Sequence, residues 1–335
     1  MSDDFNPLLT TTDWNGEWKE LQRRRRPPDN ASYWDKRAAT FRTKDAPSAY
    51  TDQFLAFAAI GPDATVLDMG CGNGALALPL ASDGHKVIAA DFSQGMLDDL
   101  ASKAAARGVA DRIRPLLLSW EDDWDAAGLG ENCVDVALAS RSVATADLAA
   151  ALRKLSRAAR QRACATLTTG PSPHVNPSVV EALGLPVPKN YDYLYAYLVL
   201  TQMGYTPELR LIQSHRMRTY DNAEDAAAAV ASMIEKYVAP ELARREEAGV
   251  APAPSAGAPH TVGTDGARPL SCNQLVSQAL EQLPRWLEDN LIPNEHAGED
   301  DGHGGIEKPL RLREPRPIQW AFLSWDTTRT PPTAW

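Results

Sequence analysis

Five short apolar runs, at 65–69, 86–90, 112–118, 134–139 and 163–169, recur along the first half of the chain, and helix-length stretches at 75–83, 94–107 and 145–159 lie between them. The runs are continuous rather than alternating, which is the pattern of strands buried on both faces. Strand, helix, strand, repeated in this way, predicts a parallel sheet covered by helices on both sides, the doubly wound α/β class. With 335 residues the chain has room for additions to such a sheet, and a hydrophobic content of 44% supplies a core.

The flanking segments read as those additions. Residues 48–60 form an amphipathic helix with Phe54, Phe57 and Ile60 near one face. A helix over 190–204 ends near Gly204, a strand follows over 208–219, and a helix over 221–238. Residues 250–268 are rich in Ala, Pro and Gly and read as a flexible linker. Ser271 with Gln274 forms a capping box that opens a helix to about residue 289, with a kink expected at Pro284. A loop over 294–308 precedes a last strand over 317–326. The expected organisation is an N-terminal lid or cap over 1–47, a core over 48–220, a helical insert over 221–293 and a C-terminal segment, 294–335, that completes the core sheet.

The first apolar run opens into "VLDMGCGNG", with three glycines in the five positions 70–74. Glycine in a packed element costs backbone entropy, so the turn must need the space or the conformation. Ligands of doubly wound sheets bind at this place, at the carboxyl ends of the strands. The spacing is GxGxG, not the GxGxxG of a dinucleotide turn, and Asp68 stands two residues before it. A carboxylate there repels a pyrophosphate and suits a ligand with an ammonium group. Asp91 ends the second strand, about twenty residues on, where an acid can accept hydrogen bonds from both ribose hydroxyls. The third strand runs into "SWEDDW" (119–124), where an acid can meet an adenine amino group and Trp120 can stack on a base.

Ribose, adenine and an amino-acid head without phosphate describe S-adenosylmethionine. In "VLDMGCGNG", "VIAADFSQGML", "SWEDDW" and "VDVALASRS" the chain resembles the class I S-adenosylmethionine-dependent methyltransferases over roughly 50–220, and "PIQWAFLSWD" is similar to the final antiparallel strand of their Rossmann-like sheet. The resemblance implies that Gly70, Gly72 and Gly74 line the methionine part, that Asp91 binds the ribose, and that Trp120 and Glu121 hold the adenine. Asp68, Cys71, Asn73, Phe92, Ser93, Met96 and Ser140 complete the candidate cofactor set. S-adenosylhomocysteine would be the product. The implied reaction is an in-line displacement at the methyl carbon, for which orientation of the reactants can supply about 7–11 kcal/mol.

The acceptor is expected to be a small molecule methylated on oxygen, nitrogen or sulfur. The alternatives are a protein or RNA acceptor, docked through Arg23–Arg26 or the C-terminal helices, and a cofactor-binding protein without catalysis. Ser140-Arg141-Ser142 follows the fourth strand where DNA amino-methylating enzymes carry [DNS]PP[YF] and cytosine methylases carry Pro-Cys, which disfavours both. His174 and Arg141 are the candidate catalytic groups. Tyr33, Trp34, Arg37, Tyr191 and Tyr193 are the candidate acceptor contacts, with Lys36 and Tyr195 beside them. Tyr191, Tyr193 and Tyr195 are spaced by two, so one helix cannot point all of them the same way.

The remaining composition narrows the partners. A net charge of -10 disfavours nucleic acid. No run of about 18 apolar residues could cross a membrane, and no basic start with an apolar stretch marks a signal peptide. Cys71, Cys133, Cys164 and Cys272 are scattered, as reduced thiols of a cytoplasmic protein would be, and form no zinc pattern. The stretch "HAGEDDGHGG" (296–305) reads as a loop, and no metal is expected.

Overall fold

The computed structural model describes residues 7–25, 30–38, 48–143, 145–247, 249, 270–300 and 306–328. The linker expected over 250–268 lies outside them. In chain order the helices are α1 (Leu8–Thr11), α2 (Trp14–Arg24), α3 (Ala31–Ala38), α4 (Ala49–Ala58), α5 (Ala77–Ser82), α6 (Gln94–Ala106), α7 (Leu148–Ala158), α8 (Pro177–Ala182), α9 (Asp192–Gln202), α10 (Ala223–Met233), α11 (Ala239–Glu247) and α12 (Cys272–Asn290). The strands are β1 (Val66–Met69), β2 (Val87–Asp91), β3 (Ile113–Leu117), β4 (Val134–Ser140), β5 (Ala159–Thr168), β6 (Glu208–Arg216), β7 (Thr219–Tyr220), β8 (Leu291–Pro293), β9 (Leu310–Leu312) and β10 (Arg316–Asp326).

Seven strands form one sheet in the order β3-β2-β1-β4-β5-β10-β6, and β1 to β5 run parallel. This is the mostly parallel, Rossmann-like sheet that the apolar runs predict. The strand order reverses between β1 and β4, so the carboxyl ends of these two strands flank the switch point where such sheets take ligands. β10 is antiparallel to β5: Thr327 N–H donates to Gln161 O at one end, while Thr169 Oγ1 donates to Gln319 O at the other. β6 is antiparallel to β10 by the same logic. Arg210 lies over the Phe57 ring, which meets Phe322, and farther along β6 Ser214 Oγ donates to Ile318 O.

Two compact units share these elements. The first comprises Met1–Leu167, Asp192–Ile212 and Trp320–Trp335; the second comprises Thr168–Tyr191 and Gln213–Gln319. The core of the first unit packs β1, β4 and β5 with α7 and α9, and it includes the wholly buried Trp18 and Trp325. Trp18 comes from α2. Asp13 caps that helix by accepting from Gly16 N–H, and the Trp18 indole N–H donates to Thr145 O at 2.9 Å. α2 is therefore built into the core, and α3 docks on the start of α6. The core of the second unit packs α8, α10, α11 and α12 around Val180, Ile234, Ala279 and Leu287. It carries its own small sheet, β7-β9-β8, with antiparallel pairings.

Several boundaries differ from the sequence reading for local reasons. β5 starts at Ala159, immediately after α7, rather than at 163. The strand expected over 208–219 is two strands in two sheets, broken after Arg216. The helix expected over 221–238 passes through a π-helical turn, Ile234–Val238, into α11, which widens the helix without ending it. The capping box at Ser271 is present, and α12 continues through Pro284 without interruption.

Candidate functional site

The turn after β1 is fixed from below by the neighbouring strand: Gly70 and Cys71 N–H both donate to Ala90 O. Gly70, Gly72 and Gly74 all adopt positive φ, at 73°, 52° and 95°. L side chains rarely tolerate that region, so the conformation accounts for all three glycines. Space separates them. A Cβ on Gly70 would lie 2.3 Å from Ser142 Cβ, and one on Gly74 would lie 2.4 Å from Leu100 Cδ1, whereas one on Gly72 would meet nothing within 4 Å. Gly70 and Gly74 are bare because the protein itself fills the room. Gly72 alone presents open backbone.

Asp91 holds that open residue in place. Its Oδ2 accepts from Gly72 N–H at 2.8 Å, and its Oδ1 accepts from Ser93 N–H at 2.9 Å. Each oxygen keeps acceptor capacity for one more donor, so both remain available to a pair of hydroxyls. Burial pushes the Asp91 carboxyl up, against the opposing effect of the Ser93, Gly72 and Phe92 N–H groups. Ser93 caps α6 through Met96 N–H, while the Met96 side chain is buried and Phe92 is half-buried.

Asp68 is 1% exposed, and neither of its carboxyl oxygens has a hydrogen-bond partner among the described residues. Burial, then the charge of Asp91, push it up to about 7; the nearby Ala77 N–H, which does not reach hydrogen-bonding geometry, and the Arg141 charge pull the other way. A buried acid without a partner is costly, so it calls for a cationic donor. An ammonium group meets that need, vicinal hydroxyls meet the spare capacity of Asp91, and the open face of Gly72 leaves room for the atoms between. These residues fit S-adenosylmethionine.

The rest of the candidate set falls around this centre. Cys71 is buried, with its thiol on Gly72 O and pushed far up by burial and the two acids. Asn73 is buried and donates to Asp99, which also pairs with Lys103. Trp120 is partly buried, stacked on Trp124, and donates its indole N–H to Ser142 O. Glu121 is exposed and accepts from Thr145 Oγ1. Ser140 Oγ meets Tyr50 Oη at 2.8 Å, and Tyr50 Oη meets Thr166 Oγ1 at 2.7 Å.

Arg141 follows Ser140 with φ of 57°, an uncommon conformation for a residue other than glycine. Its N–H donates to Thr166 Oγ1, and its guanidinium lies 4.4 Å above the buried Tyr50 ring. Its charge also reaches both Asp68 and the Tyr50 hydroxyl. An exposed cation is thus fixed beside the carboxyl end of β4.

α3 docks on the start of α6 through a residue that the sequence reading passed over. Asp35 Oδ1 accepts from Ser93 Oγ at 2.6 Å and from Gly95 N–H at 3.1 Å. Those bonds hold its carboxyl below the usual range. The helices approach so closely that a Cβ on Gly95 would lie 3.2 Å from Asp35 Cα. Tyr33 and Trp34 pack edge to face on the same helix, Lys36 is exposed, and the Arg37 side chain is outside the described residues.

Other candidates lie elsewhere. His174 belongs to the second unit and stacks on Tyr237 at 5.0 Å. Tyr191, the residue before α9, is exposed and also belongs to the second unit. Tyr193 and Tyr195 pack against the core of the first unit. The Tyr195 hydroxyl donates to Glu17, and burial together with that partner pushes it up to about 12. Arg23 and Arg24 pair with Glu20, Arg25 pairs with Asp192 at 2.7 Å, and Arg26 lies outside the described residues. Among the described residues no group of three metal-ligating side chains converges, and no helix is long and apolar enough to cross a membrane.

The parallel sheet, its strand order and the open glycine turn define a Rossmann-like methyltransferase fold. Residues 66–162 match the family model described as "Methyltransferase domain", which accords with the resemblance to the class I S-adenosylmethionine-dependent methyltransferases over that segment. It is similar to an uncharacterized protein of Haemophilus influenzae, 36% identical over 183 residues that make up 54% of this chain and 66% of that one. It is similar to the release factor glutamine methyltransferase of Cereibacter sphaeroides, 38% identical over 90 residues, 26% of this chain and 32% of the relative. The chain thus spans just under two thirds of the first relative and about one third of the second. Among solved structures it is similar to the YcgJ protein of Bacillus subtilis, with a TM-score of 0.45 and 13% identity over 83% of this chain and 97% of that one.

Proposed function

We propose that the protein binds S-adenosylmethionine and transfers its methyl group to an oxygen, nitrogen or sulfur atom of a small-molecule acceptor in the cytoplasm. The observation that carries the cofactor half is the pairing of the unpartnered, buried Asp68 carboxyl with the open backbone of Gly72. When bound, the cofactor supplies the electrophilic methyl. The chain positions it. Asp68 takes the ammonium, Asp91 takes the ribose hydroxyls, and Trp120 with Glu121 holds the base. Orientation at that site, more than any covalent step, would set the rate.

Arg141 is the better of the two candidate groups for touching the acceptor. Its guanidinium is fixed over Tyr50 at the end of β4, within the unit that holds the cofactor turn. Tyr33 and Trp34 on α3 supply aromatic surface beside Ser93. A protein acceptor is the second reading. It is favoured by the likeness to a glutamine methyltransferase of release factors, although the matched segment is only 26% of this chain.

Calorimetric titration with S-adenosylmethionine, followed by radiolabelled methyl transfer into metabolite extract and into cell protein and RNA, tests the proposal. Binding with label in the small-molecule fraction is the expected result. Label in protein or RNA would move the acceptor to the second reading. A folded protein that gives no heat at millimolar cofactor would overturn the cofactor assignment itself.

A further inference from the structure

The second unit gathers three arginines that have no counter-charge of their own. Ser214 Oγ donates to Ile318 O across antiparallel β6 and β10, and this register sets Arg216 level with Arg316. Like charges directly opposite on neighbouring strands repel. Arg218 follows two residues later, and its guanidinium lies 5.5 Å from the centre of the Tyr220 ring. Among the described residues none of the three makes an ion pair or a side-chain hydrogen bond. The charge of Arg218 acts on Asp225, whose carboxylate already takes Lys308 Nζ at 3.2 Å and Asp221 N–H at 3.1 Å.

The cluster is electrostatically strained as it stands. Arg316 is half-buried, and burial, then Arg216 and Arg218, pull its guanidinium down to about 10. Tyr220 is buried, and the charges of Arg218 and Arg316 both act on its hydroxyl. A planar, permanently charged guanidinium is the side chain suited to bidentate contact with an oxyanion. Three of them beside a phenol offer more donors than a carboxylate can accept, and a tetrahedral dianion matches them better. With a net charge of -10 over the whole chain, a long polyanion is repelled, so the ligand is small.

We infer that Arg216, Arg218 and Arg316 form a binding site for a phosphoryl group, supplied either as free phosphate or as a phosphate monoester. The site stands on the second unit alone and does not depend on methyl transfer.

The test uses the full chain in phosphate-free buffer with two variants, Arg216→Gln and Arg316→Gln. Inorganic phosphate is titrated by calorimetry and by thermal unfolding, with acetate as the control and phenyl phosphate as the ester. Phosphate should raise the melting temperature and acetate should not. Each variant should weaken phosphate binding by tenfold or more. Without phosphate, Arg216→Gln should melt at or above the temperature of the parent, because it removes repulsion. An arginine needed only for folding would lower it. Tighter binding of phenyl phosphate than of phosphate identifies an ester as the source, and the reverse identifies the free ion. No phosphate binding at 20 mM, or equal binding by the parent and both variants, would overturn the site. A cofactor titration on the same samples reports separately on the methyltransferase site.

Discussion

Alanine substitutions in the glycine turn should separate folding from binding. Gly70→Ala places a methyl 2.3 Å from Ser142 Cβ at a φ of 73°. The left-handed conformation costs a residue with a Cβ roughly 1–2 kcal/mol, and overpacking a filled site adds about 1–3 kcal/mol. The sum is about 2–5 kcal/mol, which for a protein of this size lowers the melting temperature by on the order of 10 °C. Gly72→Ala meets nothing within 4 Å and has a φ of 52°, so only the conformational part applies, about 1–2 kcal/mol. The order should invert for ligand. Gly72→Ala should fold and lose at least tenfold in S-adenosylmethionine affinity, because its methyl would project into the open space.

A double-mutant cycle isolates the clash. Ser142→Gly removes the obstructing Cβ and also the bond from Ser142 Oγ to Met69 O, which measures 2.6 Å. That bond contributes about 1 kcal/mol. In the Ser142→Gly background, Gly70→Ala should cost about 1–3 kcal/mol less than in the parent, leaving the conformational part behind. Urea unfolding of the four proteins measures the coupling. A coupling near zero would refute steric filling as the reason for Gly70. Unchanged cofactor affinity in Gly72→Ala would refute the open backbone as the place where the ligand lies.

Other perturbations follow from the same geometry. With Asp68 raised from 3.8 to about 7 in the folded chain, the stability that its bound proton contributes is complete below about pH 4, falls between pH 4 and 7, and is gone above 7. Asp68→Asn should therefore match the parent near pH 3.5, exceed it in thermal stability by a margin that grows up to pH 8, and bind the cofactor more weakly throughout. Trp18→Ala removes a side chain that is 1% exposed and a bond to Thr145 O, so urea unfolding should show a loss of about 3–5 kcal/mol. Arg141→Gly relieves the positive φ but removes the cation over Tyr50. The fold should be kept, and turnover in the methyl-transfer assay should fall more than cofactor affinity does. Asp35→Ala frees α3 from Ser93 and Gly95, and limited proteolysis should then cut within 30–38 faster than in the parent.

What the sequence made legible was local or repetitive. Continuous apolar runs located β1 to β5, and the Ser271–Gln274 box located α12, because each signal lies within a few residues of its cause. What it hid depends on partners far along the chain. Trp18 falls in the segment that the sequence marks as a lid or cap, and its burial and its bond to Thr145 O show it to be core. Asp35 stands among candidate substrate residues, yet it ties α3 to the start of α6. Arg216 and Arg316 are about a hundred residues apart and meet only because β10 returns between β5 and β6.

The glycine motif shows why a correct reading can still misassign causes. Its three glycines look equivalent in sequence, but Gly70 is set by Ser142, Gly74 by Leu100 and Leu78, and Gly72 by open space. Two of the three thus report that β1 packs against its neighbours, and one reports that a ligand can approach. A chain that kept Gly70 and Gly74 and replaced Gly72 would build the same sheet and match much of the same pattern while losing the open backbone that the proposed cofactor site uses. Recognition of the fold and inference of the activity therefore draw on different residues of one short motif, and Gly72, with Asp91 holding its N–H, is the one on which the proposed activity turns.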